Sequence, residues 1–182
     1  ALLVNGTLVD TIRMEWIDGS LLKEFIEQNL RNKKKLKTFA DDFLKMCQTL
    51  HKNQISHGDL QHGNIMIDKN GDIKLVDYDS ICIPDIEGQK ELVTGKKGYQ
   101  HLSRFKTSQA SLKADYFSEL VIYLSILALI EKPELWEKYQ VKDTEYLLFS
   151  DSDFENFEKS NIYKELYLLS DSIKSLVRIL DL

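Results

Sequence analysis

Cysteine is scarce. Cys47 and Cys82 are the only two in 182 residues, and neither stands in a C-x-x-C or Cys/His cluster. That argues against a disulfide framework or a zinc site and fits a reducing, cytoplasmic setting. Proline is equally sparse, with two residues, and no repeat or low-complexity tract interrupts the chain, so no interdomain linker is marked. Long apolar runs are missing too: the longest, Leu120 to Ile130 broken only by Ser125, is too short to cross a bilayer and reads as a buried core helix. There is no excess of positive charge, because the formal net charge is -5, and so no general attraction to nucleic acid or anionic lipid. The basic, apolar and small-residue regions of a signal peptide are absent as well, although the chain starts abruptly at Ala1 inside apolar sequence.

What is present is an ordinary globular mixture, 43% hydrophobic and 29% charged, long enough for one domain with a real core. Short β-like runs at Leu2 to Val4 and Thr11 to Met14 flank the turn signal Asn5-Gly6, and a second break follows at Asp18-Gly19. Leu21, Leu22, Phe25, Ile26 and Leu30 recur at helical spacing, with Ser20 as the expected N-cap. Phe39, Phe43, Met46 and Leu50 make one apolar stripe, which predicts a helix from about Lys37 to His51. The pattern then switches. Ile65-Met66-Ile67, the turn Asp68-Lys69-Asn70-Gly71, and Ile73-Lys74-Leu75-Val76 predict a β-hairpin over 65 to 76. After an irregular stretch, a helix apolar nearly all round is expected over 114 to 130, central rather than peripheral, with further helices ending in Ile173 to Leu182.

Chemistry concentrates around the hairpin. His57-Gly58-Asp59-Leu60-Gln61-His62-Gly63-Asn64 lies on the loop before it, and Asp77 follows its second strand in Leu75-Val76-Asp77-Tyr78-Asp79. Phosphoryl transfer from ATP asks little covalent help of a protein. It needs hard oxygen ligands for Mg²⁺ and a group that orients the incoming hydroxyl, and Asp59, Asn64 and Asp77 are of those types.

These segments resemble the catalytic loop H-R-D-L-x-x-x-N and the D-F-G motif of the protein kinase-like superfamily, in particular a bacterial kinase-like group with H-G-D-L-Q-H-G-N and D-Y-D. The resemblance implies that Asp59 is the catalytic base, that Asn64 and Asp77 are magnesium ligands, and that His57 and Tyr78 are structural props. It extends upstream, where Met14-Glu15-Trp16-Ile17-Asp18-Gly19 is similar to the hinge between kinase lobes, with backbone groups of Glu15 and Ile17 expected on the adenine and Met66 beneath it. Downstream, Gly95-Lys96-Lys97-Gly98-Tyr99-Gln100 resembles the peptide-binding end of an activation segment, and Asp115 matches the buried acid that braces the catalytic loop.

The fold so implied is mainly α with a small β-hairpin. It is the C-lobe of the α+β protein kinase-like fold with its N-lobe largely absent: residues 1–18 as a remnant of N-lobe strands and hinge, residues 19–182 as the C-lobe. The implied function is an ATP- and Mg-dependent phosphotransferase of Ser/Thr protein kinase type with a protein or peptide acceptor, no nucleic-acid partner and no membrane partner. The chain alone is expected to be inactive without the missing N-lobe segment. Four departures qualify this. Gly58 replaces an Arg that recognises a phosphorylated activation segment, Gln61 replaces a Lys near the transferred phosphate, Asp79 takes the place of the D-F-G glycine, and His101-Leu102-Ser103 stands where A-P-E is expected. The H-G-D-L opening is also similar to small-molecule kinases of aminoglycoside or choline type, and the departures leave open a pseudokinase binding module. No glycine-rich loop or V-A-I-K lysine can be assigned before Met14.

Overall fold

Short apolar runs on either side of Asn5-Gly6 form the first element pair, and both turn residues take positive φ, 50° and 81°, as a tight hairpin turn of matching twist requires. The computed structural model describes residues 1–11, 14–91 and 93–180. In it β1 (Leu2–Val4) pairs antiparallel with β2 (Thr7–Val9), Val4 opposite Thr7. The second strand therefore lies earlier than the expected Thr11 to Met14, because the two-residue turn fixes the register; part of that expected run, residues 12 and 13, lies outside the described residues.

The chain then enters β3 (Gly19–Leu21), which the sequence pattern does not reveal. Ser20 pairs with Ile67 across this strand, so it is not the N-cap expected of it. The following helix, α1 (Leu22–Asn29), is closed instead by the Glu24 carboxylate accepting the Leu21 N–H at 3.2 Å. Gly19 is required here by packing, since a Cβ would sit 2.3 Å from the Ile67 carbonyl oxygen.

Helix α2 (Lys33–Lys52) begins four residues before the expected Lys37, because Asn32 caps it by accepting the Lys35 N–H at 3.1 Å. After an irregular loop and a 3₁₀ turn at His62–Asn64 come β4 (Ile65–Asp68) and β5 (Ile73–Leu75). They form the expected hairpin, and the Asp68 carboxylate holds its turn by accepting the Asn70 and Asp72 N–H groups. The sheet order is β3-β4-β5.

A long irregular segment leads through α3 (Arg104–Thr107) to α4 (Tyr116–Glu131). Short helices α5 (Leu135–Lys138), α6 (Asp151–Glu155) and α7 (Asn161–Leu166) follow, and α8 (Asp171–Leu180) closes the described chain. Helix α4 is largely buried, packed against α2 and α8, with Tyr116 and Glu131 exposed at its ends. Its two internal serines cost little there: Ser118 and Ser125 donate their hydroxyls to the carbonyls of Asp115 and Val121 within the same helix. No described helix is long and apolar enough to cross a membrane.

The core is thus helical, with α2 and α4 forming its main seam, and Phe43 on α2 is fully buried in it. Phe43→Ala should cost about 3–5 kcal/mol through lost burial and the cavity left behind. Urea denaturation reads this directly, and a loss near zero would mean that the seam refills.

Candidate active site

The loop between α2 and β4 is fixed from three sides. Ser56 exchanges both backbone hydrogen bonds with Cys82, at 2.9 and 2.8 Å. The buried Asp115, at the entrance to α4, accepts the His57 N–H at 2.5 Å and the Gly58 N–H at 2.9 Å, one on each carboxylate oxygen. His57 in turn places Nε2 2.9 Å from the Val76 carbonyl and packs its ring on Tyr78, whose hydroxyl donates to the Leu75 carbonyl at 2.6 Å. The loop and the end of the hairpin are therefore one unit, held from the entrance of the central helix α4.

Gly58 explains one departure in the motif. Its φ is +80°, and a Cβ would lie 1.9 Å from the Ser80 carbonyl oxygen, so no side chain fits this loop conformation, arginine included. Gln61 explains another. Its side-chain oxygen accepts the Gly63 N–H at 2.9 Å and caps the 3₁₀ turn, which commits it locally.

Asp59 is half-buried, with Leu60 fully buried beside it as an anchor. Its Oδ1 accepts the Lys96 backbone N–H at 2.7 Å, and its Oδ2 stands 3.3 Å from the Asn64 amide nitrogen, which also donates to the Asp59 carbonyl at 2.8 Å. Asn64 is buried, and with its nitrogen turned towards Asp59 its Oδ1 is left as an oxygen donor. The Val76 N–H donates to the Asn64 carbonyl at 3.0 Å, which brings the start of β4 beside the residue preceding Asp77. Asp77 is exposed and adopts φ +65°, a left-handed conformation that short polar side chains tolerate and that is concentrated at functional positions.

Asp59, Asn64 and Asp77 are thus gathered at one end of the β4–β5 hairpin. The expected adenine-side residues lie along its other strand neighbour. Glu15 is exposed and Ile17 half-buried in the irregular run that feeds β3, and Met66 sits on β4 opposite Leu21. Strand alternation turns Ile65 and Ile67 into the core and leaves Met66 on the half-exposed face.

The segment Gly95 to Gln100 is docked on the 57–64 loop. Beyond the Lys96 bond to Asp59, the buried Tyr99 places its hydroxyl 2.7 Å from Nδ1 of His62 and accepts the Leu147 N–H at 3.0 Å. Burial, followed by the cations Lys23 and Lys96 and opposed only by Glu145, lowers the His62 pKa to about 4, and burial raises that of Tyr99. The sign for stability follows. Between the ordinary value near 6.5 and about 4 the unfolded chain binds a proton that the folded chain refuses, so the contribution is complete above 6.5 and is lost as pH falls through this window. A shift of that size corresponds to roughly 3 kcal/mol. His62→Gln should flatten the loss of urea stability between pH 7 and 4.5; a variant with the same slope as the parent would show that His62 is not its source.

Several of these contacts have no signal in the sequence. The β3 strand is three residues long, and the pairing of Arg104 with the buried Glu91 joins residues that no motif relates. The Lys96 N–H on Asp59 is a backbone contact, independent of side-chain identity.

A helical lobe built around a buried central helix, with an Asp/Asn loop and a post-hairpin Asp braced from it, defines the C-lobe of a protein kinase-like fold. Comparison with known proteins agrees: the protein kinase domain family matches residues 8–180, and the chain belongs to that family. Among similar proteins, the serine/threonine-protein kinase CLA4 of Candida albicans is 29% identical over 109 residues, 58% of this chain and 11% of that protein. The probable serine/threonine-protein kinase mkcD of Dictyostelium discoideum is 29% identical over 115 residues, 63% of this chain and 18% of its own. The phosphorylase b kinase gamma catalytic chain of Mus musculus, liver/testis isoform, is 26% identical over 157 residues, 81% of this chain and 38% of its own. The chain therefore spans well under half the length of these relatives.

Proposed function

We propose that the protein is an ATP- and Mg²⁺-dependent phosphotransferase of Ser/Thr protein kinase type that acts on a hydroxyl of a protein or peptide. The observation that carries this reading is the setting of Asp59: one carboxylate oxygen is held by the backbone of the Gly95–Gln100 segment and the other faces Asn64. A carboxylate fixed between a peptide-binding segment and a metal-binding amide is placed to accept the hydrogen bond of an incoming hydroxyl and orient it for in-line attack.

The donor set suits Mg²⁺. Among the described residues no cluster of three His, Cys, Asp or Glu side chains forms an all-protein cage, whereas Mg²⁺ is held by one or two protein oxygens together with water and phosphate. Asn64 Oδ1 and the Asp77 carboxylate supply those oxygens. Mg²⁺ held by these residues would supply charge neutralisation at the nucleotide phosphates. Backbone groups of Glu15 and Ile17 meet the adenine edge in this reading and Met66 lies under the ring.

The docked Gly95–Gln100 segment favours a peptide over a small alcohol, since its backbone lies against Asp59 through the Lys96 N–H. Full-length protein incubated with radiolabelled Mg-ATP, a Ser/Thr peptide library and a panel of aminoglycosides and amino alcohols tests the proposal. Label on peptides supports it, label on the small alcohols moves the acceptor class, and nucleotide binding with no transfer to any acceptor would support a binding module instead.

A further inference from the structure

Arg104 is the most heavily committed side chain outside the motif. It is 8% exposed, and the Glu91 side chain it meets is 6% exposed. Its Nε lies 3.2 and 3.3 Å from the two Glu91 oxygens, and Nη2 is 2.5 Å from Oε1, a two-pronged pairing that fixes the plane of the guanidinium. Both remaining directions of the fork are used as well: Nη1 donates to the carbonyl of Gly58 and to the side-chain oxygen of Gln100.

The Gly58 carbonyl belongs to the planar peptide unit that also carries the Asp59 N–H. Asp115 holds the preceding peptide through the Gly58 N–H. Gly58, at φ +80°, has the wide conformational choice of a glycine, and both of its peptide planes are fixed by charged side chains. At the other end, Glu91 is held by its own backbone: its N–H donates to the Ser108 carbonyl at 2.9 Å, and residues 88 to 90 pair antiparallel with 109 and 110. Further along the chain, the Lys96 N–H donates to Asp59.

We propose that Arg104 is a positioning residue for Asp59: it clamps the peptide before Asp59 and the 88–91 segment together through a buried carboxylate of the chain itself, so that no phosphate is needed to join them. This rests on the phosphotransferase reading given above. Lysine cannot replace it, because a single ammonium cannot reach Gly58, Gln100 and both Glu91 oxygens in one plane.

The test separates positioning from stability. In the full-length protein, Arg104→Met combined with Glu91→Met removes the clamp and leaves no unpaired buried charge, and an apolar pair of similar volume keeps such sites folded. This double variant should melt near the parent temperature, lose about 100-fold in kcat as expected for a displaced catalytic group, and keep its KM for ATP within about twofold. Arg104→Lys, which retains the charge beside Glu91, guards against misfolding and should fall in the same direction. Parental kcat in either variant would overturn the proposal. Hydrogen exchange of peptides 57–60 and 88–91 reads the clamp without any assay of activity. Faster exchange of both in the double variant supports it, and unchanged exchange sinks it. If the parent transfers no phosphate, the phosphotransferase reading fails, while exchange still decides whether Arg104 joins the two segments.

Discussion

Asp59→Asn should lower the phosphoryl-transfer rate by roughly 10²–10⁴-fold, the usual contribution of a positioned acid–base group, while nucleotide affinity stays nearly unchanged. The substitution is well suited to this site. Asn keeps an oxygen able to accept the Lys96 N–H, so the contact between catalytic loop and Gly95–Gln100 segment survives. What changes is the group facing the incoming hydroxyl, from a charged acceptor to an amide. The steady-state rate with a peptide found by screening, measured beside calorimetric Mg-ATP affinity, distinguishes the roles. Rate lost with affinity kept places Asp59 on the acceptor side. Equal loss of both means that Asp59 holds the loop together and another group orients the hydroxyl.

The parts of this site that were legible in the sequence are those where chemistry demands a residue type at a fixed spacing. Asp59, Asn64 and Asp77 could be read because a loop, a hairpin and a strand end must bring oxygens together, and the alternation of Ile65, Met66 and Ile67 marks the strand between them. Helix α4 was legible for a different reason, since a stretch apolar on all faces can only be central. Boundaries were less so. Helix α2 starts at a polar cap that the apolar stripe cannot see, and Ser20 has the chemistry of a cap but lies in a strand whose partner is 47 residues away in sequence, at Ile67. The Arg104 and Glu91 pair and the Tyr99 and His62 contact were hidden altogether. They join residues whose proximity depends on the path of an irregular segment, which local propensity does not encode. Gly58 was visible as a departure, and its cause, the Ser80 carbonyl at the place of a Cβ, is a tertiary contact.

The second large effect concerns Asp77, and its left-handed backbone decides which variant is informative. Alanine at φ +65° would add about 1–2 kcal/mol of steric cost to any loss of metal binding and confuse the two. Asparagine tolerates that region as aspartate does and removes only the charge, and glycine tolerates it while removing the whole donor. Both should therefore keep the parent's melting temperature without nucleotide. On the proposed reading Asn64 and Asp77 would hold Mg²⁺ together with phosphate oxygens, so in the full-length protein affinity for ATP should rise on adding Mg²⁺. Asp77→Asn should reduce that magnesium-dependent increment by at least about 10–100-fold, the loss that already follows from perturbing residues further from a metal, and Asp77→Gly should abolish it. Calorimetry with and without Mg²⁺ measures the increment directly. A parent whose ATP affinity ignores Mg²⁺, or an Asp77→Gly variant that keeps the full increment, would remove Asp77 from the metal site and leave its left-handed backbone as its contribution to the fold.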